Sequence, residues 1–437
     1  MTANGSYTIT RHDLLSFVQA AGVRYWSRGV FPGDRHVDQA SVDLTVLGRK
    51  WRQVRLPAAY AHLGVDGHIL VDEACIRGAD TFNSCDWYLA AFSHLSVIAE
   101  WHHENAHGPI HSYAFRLSSV PAALFDYAWA NRIMLLMRAM DAAMQEQAED
   151  ALFGPLPGCR FHITHDVDAL DKTIPIRIKQ GGFEMFNILR SLGKGAIALA
   201  IAHVKRAASV MFGSATYNHL DAIADMVAAK GVRSRFHLYA KPAKRAAGLW
   251  LMDPGYAIDD SRLRDFVVRR SVQGFTFGLH PSFADWKSAK ALKTARRLFQ
   301  NAFGTEPACI RQHWLRFSLR DTWRAQEEAD FTLDYTLGFN DRTGFRAGTA
   351  LVYRPWDFIR GQAHAIDICP TMAMDSHFYA YRSLSAADRR AAMAGLINEV
   401  RIVHGEIAVL WHPHTLAVDY GWKEGFEDLL NLIGSDA

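Results

Sequence analysis

The chain has 437 residues, 49% hydrophobic and 21% charged, an ordinary globular composition and long enough for two domains with separate cores. A formal net charge of +3 gives no basic excess for nucleic acid, and the longest apolar run, 196–204, falls far short of the ~20 residues that cross a bilayer. The five cysteines (Cys75, Cys85, Cys159, Cys309, Cys369) form no C-x-x-C pair, and residues 1–13 carry no secretory pattern, so buried thiols in the cytoplasm are expected.

Residues 1–152 read as a smaller α/β domain. A strand is expected over 41–47, and apolar residues recur at helical spacing over 86–104 and 121–150. His102, His103, His107 and His111 cluster in what reads as a polar loop, where a solvated surface outweighs a metal site. Pro and Gly gather at 153–158 and mark a boundary.

From 158 to 437 the pattern becomes regular. Strands are predicted at 160–165, 234–239, 275–279, 308–312, 331–336, 364–368 and 407–411. Helices are predicted at 221–230, 260–272, 287–303, 318–329 and 386–404, the last capped by Ser385 and ended by Gly405. Such alternation implies parallel strands with right-handed crossovers, and strands this apolar suit a small or incomplete barrel. One insertion, 179–213, rich in Ala, Leu and Phe and carrying Lys194, Lys205 and Arg206, reads as a helical hairpin. It either packs on the barrel or offers a basic amphipathic face to anionic lipid or a lipid-linked substrate.

Ionisable residues stand where these strands end. Asp166 and Asp168 follow the first, His280 the third, Arg311 and His313 the fourth, and His412 and His414 the last, with Asp375 on the stretch before it. Carboxyl ends of parallel strands converge on one face, where barrel enzymes hold their chemistry. Two carboxylates buried without partners would be pushed towards neutrality, whereas a metal or an arginine keeps them ionised.

In this order, Thr164-His165-Asp166-Val167-Asp168, Gly278-Leu279-His280-Pro281-Ser282, Arg311-Gln312-His313-Trp314 and Leu410-Trp411-His412-Pro413-His414 resemble the motifs of the polysaccharide deacetylase family (NodB homology, carbohydrate esterase type). The resemblance covers about 158–434. It implies a distorted (β/α)7 barrel preceded by an accessory α/β domain, and a divalent cation, zinc (Zn2+) by preference. By position, Asp166 matches the base, Asp168 and His280 match metal ligands, and Arg311 matches the arginine that pairs with the base. The backbone N–H of Trp314 matches an oxyanion donor, and His412 matches the acid that protonates the leaving nitrogen, oriented by Asp375 or Asp334. The family's second histidine ligand falls at Ala284, the largest departure. Zinc takes three protein ligands plus water, so a substitute is expected at His313, whose other reading is to support a ligand from behind; His377 is a second candidate.

Arg346 and Arg354, on loops expected at the same face, and Trp411 and His414 complete the expected substrate contacts, with plain structural ion pairs as the alternative for each arginine. His414 also competes with His412 for the acid. The expected activity is removal of an N-acetyl or other small acyl group from an amino sugar of a bacterial surface polysaccharide or its precursor, free or lipid-linked. The rival readings are a catalytically silent carbohydrate-binding scaffold, favoured by Ala284, and a metal-free hydrolase of a small amide. The metal-dependent reading depends on Asp168 and His280 lying close enough to share one ion.

Overall fold

Short stretches that mix apolar residues with a few buried polar ones form strands covered on both faces. Five of them make the central sheet: β1 (Arg160–Val167), β2 (Arg235–Tyr239), β3 (Thr276–His280), β4 (Thr371–Met374) and β5 (Glu406–Leu410). They lie in the spatial order β4-β5-β1-β2-β3 and are all parallel. The computed structural model describes residues 7–35, 40–118, 120–193, 195–241, 252–380 and 384–434. The register sets Leu410 and Arg235 on either side of Thr164, His237 beside Asp166, and His280 beside Tyr239. All five carboxyl ends therefore open on one side.

The strand expected at 308–312 is reduced to Ile310, which bridges in parallel to Leu279 and to Asp334. Those expected at 331–336 and 364–368 shrink to a parallel pair, Leu333–Asp334 with Asp367–Ile368. The ladder beside β5 instead forms at β4, beyond Pro370, whose ring interrupts the apolar run. The result is a mixed α/β structure with a five-stranded parallel sheet. Gly278 is needed in β3 because a Cβ there would stand 2.5 Å from Cys309 Sγ and 2.9 Å from the His237 ring.

Helices Leu220–Ala228, Ser261–Ser271, Ala289–Phe303, Thr322–Glu328 and Ala386–Ile402 follow the expected periodicity. Ser385 caps the last by accepting from the Asp388 N–H. Its far end differs from expectation: His404, not Gly405, takes the left-handed turn at φ 50°, and Gly405 lies where a Cβ would meet Ala350. The insertion is a helix pair, Ile174–Gly193 and Ile197–Phe212; Lys194 lies outside the described residues. Among the described residues no helix is long and apolar enough to cross a membrane.

Upstream, the expected strand at 41–47 is Ser41–Asp43, paired antiparallel with Thr8–Thr10, followed by a 3-10 turn. The 86–104 stretch is two helices, Trp87–Leu95 and Ile98–His107, separated by Val97 at φ 57°. His102, His103 and His107 thus lie on a helix rather than in a polar loop. Its apolar face is Ile98, Ala99 and Trp101, and two acids are buried beside it: Glu100 binds Arg346, and Glu104 accepts from the backbone N–H of Leu319 at 2.9 Å and of Arg320 at 3.1 Å. Arg132 Nε donates to Glu399 at 2.9 Å, a second buried pair joining the two parts of the chain. One hydrophobic core runs through both.

Candidate metal centre

β1 carries the chain to Asp166 and on to Asp168, β3 ends at His280, and the turn after Ile310 supplies His313. One side-chain donor atom from each of Asp168, His280 and His313 lies within 4.8 Å of the others. The two imidazole Nε2 atoms stand 3.5 Å (His280) and 3.6 Å (His313) from Asp168 Oδ1, which is buried without a hydrogen-bond partner. Ligand atoms about 2.0–2.2 Å from a tetrahedral cation are separated by roughly 3.3–3.6 Å, so the residues present fit a divalent ion.

The tautomers fit as well. His280 Nδ1–H donates to the Arg311 carbonyl at 2.8 Å, which turns Nε2 towards Asp168 and leaves it as the atom that would ligate an ion. His313 Nδ1 faces Asp253 Oδ1 at 3.5 Å. Asp253 also accepts from Tyr239 Oη at 2.9 Å, Ser282 Oγ at 2.6 Å and the Phe283 N–H at 2.8 Å. Ala284 offers no ligand atom. His377 stands apart from the group: its Nδ1 accepts from the Met374 N–H and its Nε2 donates to the Phe339 carbonyl.

Asp166 is buried beside this group. Its Oδ1 accepts from Arg311 at 3.1 Å and from His237 Nδ1–H at 3.0 Å, while His280 Nε2 lies 3.9 Å from Oδ2. Burial opposes its ionisation, but Arg311, then His280 and His237, hold it well below the usual carboxylate range. Asp168 is likewise held low against burial by His280, His313 and His412. His237 is pushed down to about 3 by burial, so it stays neutral and donates. Arg311 is itself fixed by the Tyr335 carbonyl and Thr371 Oγ1, both at 3.0 Å.

Across the cavity, His412 Nδ1 donates to Asp375 at 3.0 Å, and its Nε2 lies 3.7 Å from Asp168 Oδ2. Burial alone would lower this imidazole; the Asp375 carboxylate more than offsets that and raises it to about 9. Asp334, the other expected orienter, instead accepts from Trp323 Nε1 and Gln326 Nε2 at 3.1 Å.

Trp314 and Leu315 are consecutive left-handed residues, at φ 58° and 45°. Asn340 Nδ2 holds the Trp314 carbonyl at 2.8 Å and Ser112 Oγ holds that of Leu315 at 2.6 Å.

Asp166, Asp168, His280, His313, Trp314, Asp375, His412 and His414 all line one cavity of about 220 Å³. Phe183, Phe186 and Arg190 of the hairpin wall it as well, and Tyr420 and Trp422 add flat apolar faces. Three expected contacts lie elsewhere. Arg346 is buried against Glu100, Ser112 Oγ at 2.6 Å and the Gly338 carbonyl at 2.7 Å, because the acids of helix Ile98–His107 need a cation. Arg354 is exposed and pairs with Asp367 at 3.3 Å. Trp411 points into the core, against Tyr379 and Phe426. Sequence reasoning missed His237 and Asp253. A histidine inside an apolar strand was a readable signal for the first; Asp253 sits in irregular chain and gave none.

No family model matches this chain, and no curated protein matches it. Among solved structures it is similar to one described as a "putative polysaccharide deacetylase from Mycobacterium smegmatis", with a TM-score of 0.37 and 11% identity over 64% of this chain and 85% of that one.

Proposed function

We propose that the chain is a metal-dependent hydrolase that removes an N-acetyl or other small acyl group from an amino sugar of a surface polysaccharide or its precursor. The observation that carries this reading is the convergence of Asp168, His280 and His313 on one point, with an Asp375–His412 pair across the same cavity. His313 would take the place left open at Ala284, and its nearness to Asp168 and His280 speaks against a silent scaffold. The parallel bridges at Ile310 support a distorted seven-stranded barrel over 158–437, with 1–152 as its accessory domain. Five cysteines without a close pair in sequence favour the cytoplasm.

Asp168, His280 and His313 would hold the ion, zinc by the mixed nitrogen and oxygen donor set. A divalent cation there lowers the pKa of a water and polarises the acyl oxygen, so that a weak base suffices. Asp166 supplies that base: Arg311 and His237 occupy Oδ1, leaving Oδ2 to accept the proton. The Trp314 N–H is assigned to the developing oxyanion, on a turn already fixed before substrate arrives. His412, raised to about 9, is protonated at neutral pH and delivers its proton from Nε2 to the leaving nitrogen. Trp422 and Tyr420 offer apolar faces to a sugar ring.

Acetate release from N-acetylated amino-sugar oligomers, measured with metal content, tests the assignment. Asp166→Asn is expected to abolish turnover at unchanged metal stoichiometry, and Asp168→Asn to lose both. Full activity and equal metal content in both variants overturns it.

A further inference from the structure

Half of the large apolar side chains that are exposed among the described residues belong to the hairpin Ile174–Gly193 and Ile197–Phe212. They are not scattered. Ile178, Met185 and Leu189 on the first helix, and Ile197, Ile201 and Val204 on the second, recur at spacings of three, four or seven residues, so each set forms one stripe. Leu189 is 63% and Ile197 65% exposed.

The seam between the helices is formed by Glu184 and Ser191 against Ala200 and His203, with His203 Nδ1 2.6 Å from Glu184 Oε2. Each stripe lies about 100° around its helix from that seam, in the same rotational sense. The helices are antiparallel, so both stripes face the same side. Phe183, Asn187 and Arg190 lie on the opposite face of the first helix and line the cavity. The hairpin is therefore a wall with one surface towards the candidate centre and an apolar surface turned outwards.

We propose that this outer surface docks on an anionic lipid bilayer. Charge selects that occupant. The hairpin sequence carries Arg177, Lys179, Lys194 and Lys205 with no acid left to offset them: Arg190 lies on the cavity side, and Arg206 stands 3.6 Å from Glu184, the one acid, in the seam. Such an excess attracts anionic headgroups and repels a second copy of the same surface. Neither helix is long and apolar enough to cross, so the hairpin lies in the interface, its apolar stripe among the acyl chains. Phe186, between the stripe and the cavity wall, brings the cavity mouth to the headgroups. This arrangement is independent of the reaction the cavity performs; a silent scaffold would dock equally.

The test is sedimentation of the full chain with vesicles of phosphatidylcholine alone and of an equal mixture with phosphatidylglycerol. The wild type is expected to sediment with the mixed vesicles, less so in high salt, and to stay in solution with the neutral ones. Leu189→Gln with Ile201→Gln changes exposed positions and is expected to lower partitioning at least about tenfold, and Lys205→Glu by about tenfold, each with an unchanged circular dichroism spectrum. Wild-type protein that ignores anionic vesicles, or binds neutral ones as tightly, overturns the proposal. So does a dimer in sedimentation velocity that these substitutions dissociate while vesicle binding is absent.

Discussion

Asp253→Asn isolates the contact that decides whether His313 is a metal ligand. Asp253 Oδ1 faces His313 Nδ1 at 3.5 Å and accepts from the Phe283 N–H, while Oδ2 accepts from Tyr239 and Ser282. Asparagine keeps an oxygen at the first position, and the two hydroxyls can rotate to accept from its amide at the second, so the loop should survive. What is lost is the negative charge that favours a proton on Nδ1 and a lone pair on Nε2. Loss of such an orienting partner typically weakens metal binding 10–100-fold. Because 3.5 Å is longer than a good hydrogen bond, the low end applies: about tenfold, or ~1.4 kcal/mol. Zinc affinity is read by competition with a chelator, alongside the thermal midpoint. The effect must travel through His313, so in a His313→Ala background Asp253→Asn should cost nothing further. Unchanged affinity in the single variant, or a full tenfold loss with His313 already removed, refutes the reasoning.

Acid should destabilise the fold through its buried histidines. Burial pushes His94 and His377 each down to about 4 from 6.5. Below pH 6.5 the unfolded chain takes up protons that the native state refuses until pH 4, so stability is full above 6.5 and falls towards 4, by about 3 kcal/mol per pH unit for the pair. Urea unfolding at pH 7 and pH 5 checks this, and a midpoint that does not fall would contradict it. Arg346→Gln leaves Glu100 as a buried charge without its cation and is expected to cost about 3–5 kcal/mol in the same assay. Arg354→Ala, exposed and away from the cavity, should change stability by less than about 0.5 kcal/mol and leave kcat/KM unaltered.

The strands that hold the candidate centre were legible because apolar residues recur in short runs between helical stretches, and β1, β2, β3 and β5 lie within a residue or two of their expected places. Their parallel direction then fixes which ends meet, which is why Asp168, His280 and His412 could be assigned to one face from sequence. β4 was not legible: Pro370 breaks the pattern, and only pairing with β5 defines where the ladder resumes. The burial of helix Ile98–His107, expected as helical only as far as 104, was hidden for the opposite reason. Its periodicity is carried partly by Glu100 and Glu104, acids that read as surface until Arg346 and the 318–320 backbone are seen to receive them. Partnerships across long sequence separations leave no local trace.

Those partnerships bear on the site. His313, on the turn after Ile310, would reach an ion from that turn and not from the helical spacing that position 284 offers. The turn that achieves this places two non-glycine residues, Trp314 and Leu315, at positive φ, a conformation that costs of order 1–3 kcal/mol each and persists only where the surroundings enforce it. Enforcement here comes partly from the first part of the chain: Ser112 holds the Leu315 carbonyl, Arg346 holds Ser112, and Glu100 holds Arg346. The upstream residues are therefore tied through three contacts to the turn that carries His313. Placing His313 on a strained turn makes the candidate centre depend on the segment before it, and gives that segment a structural reason to accompany the sheet.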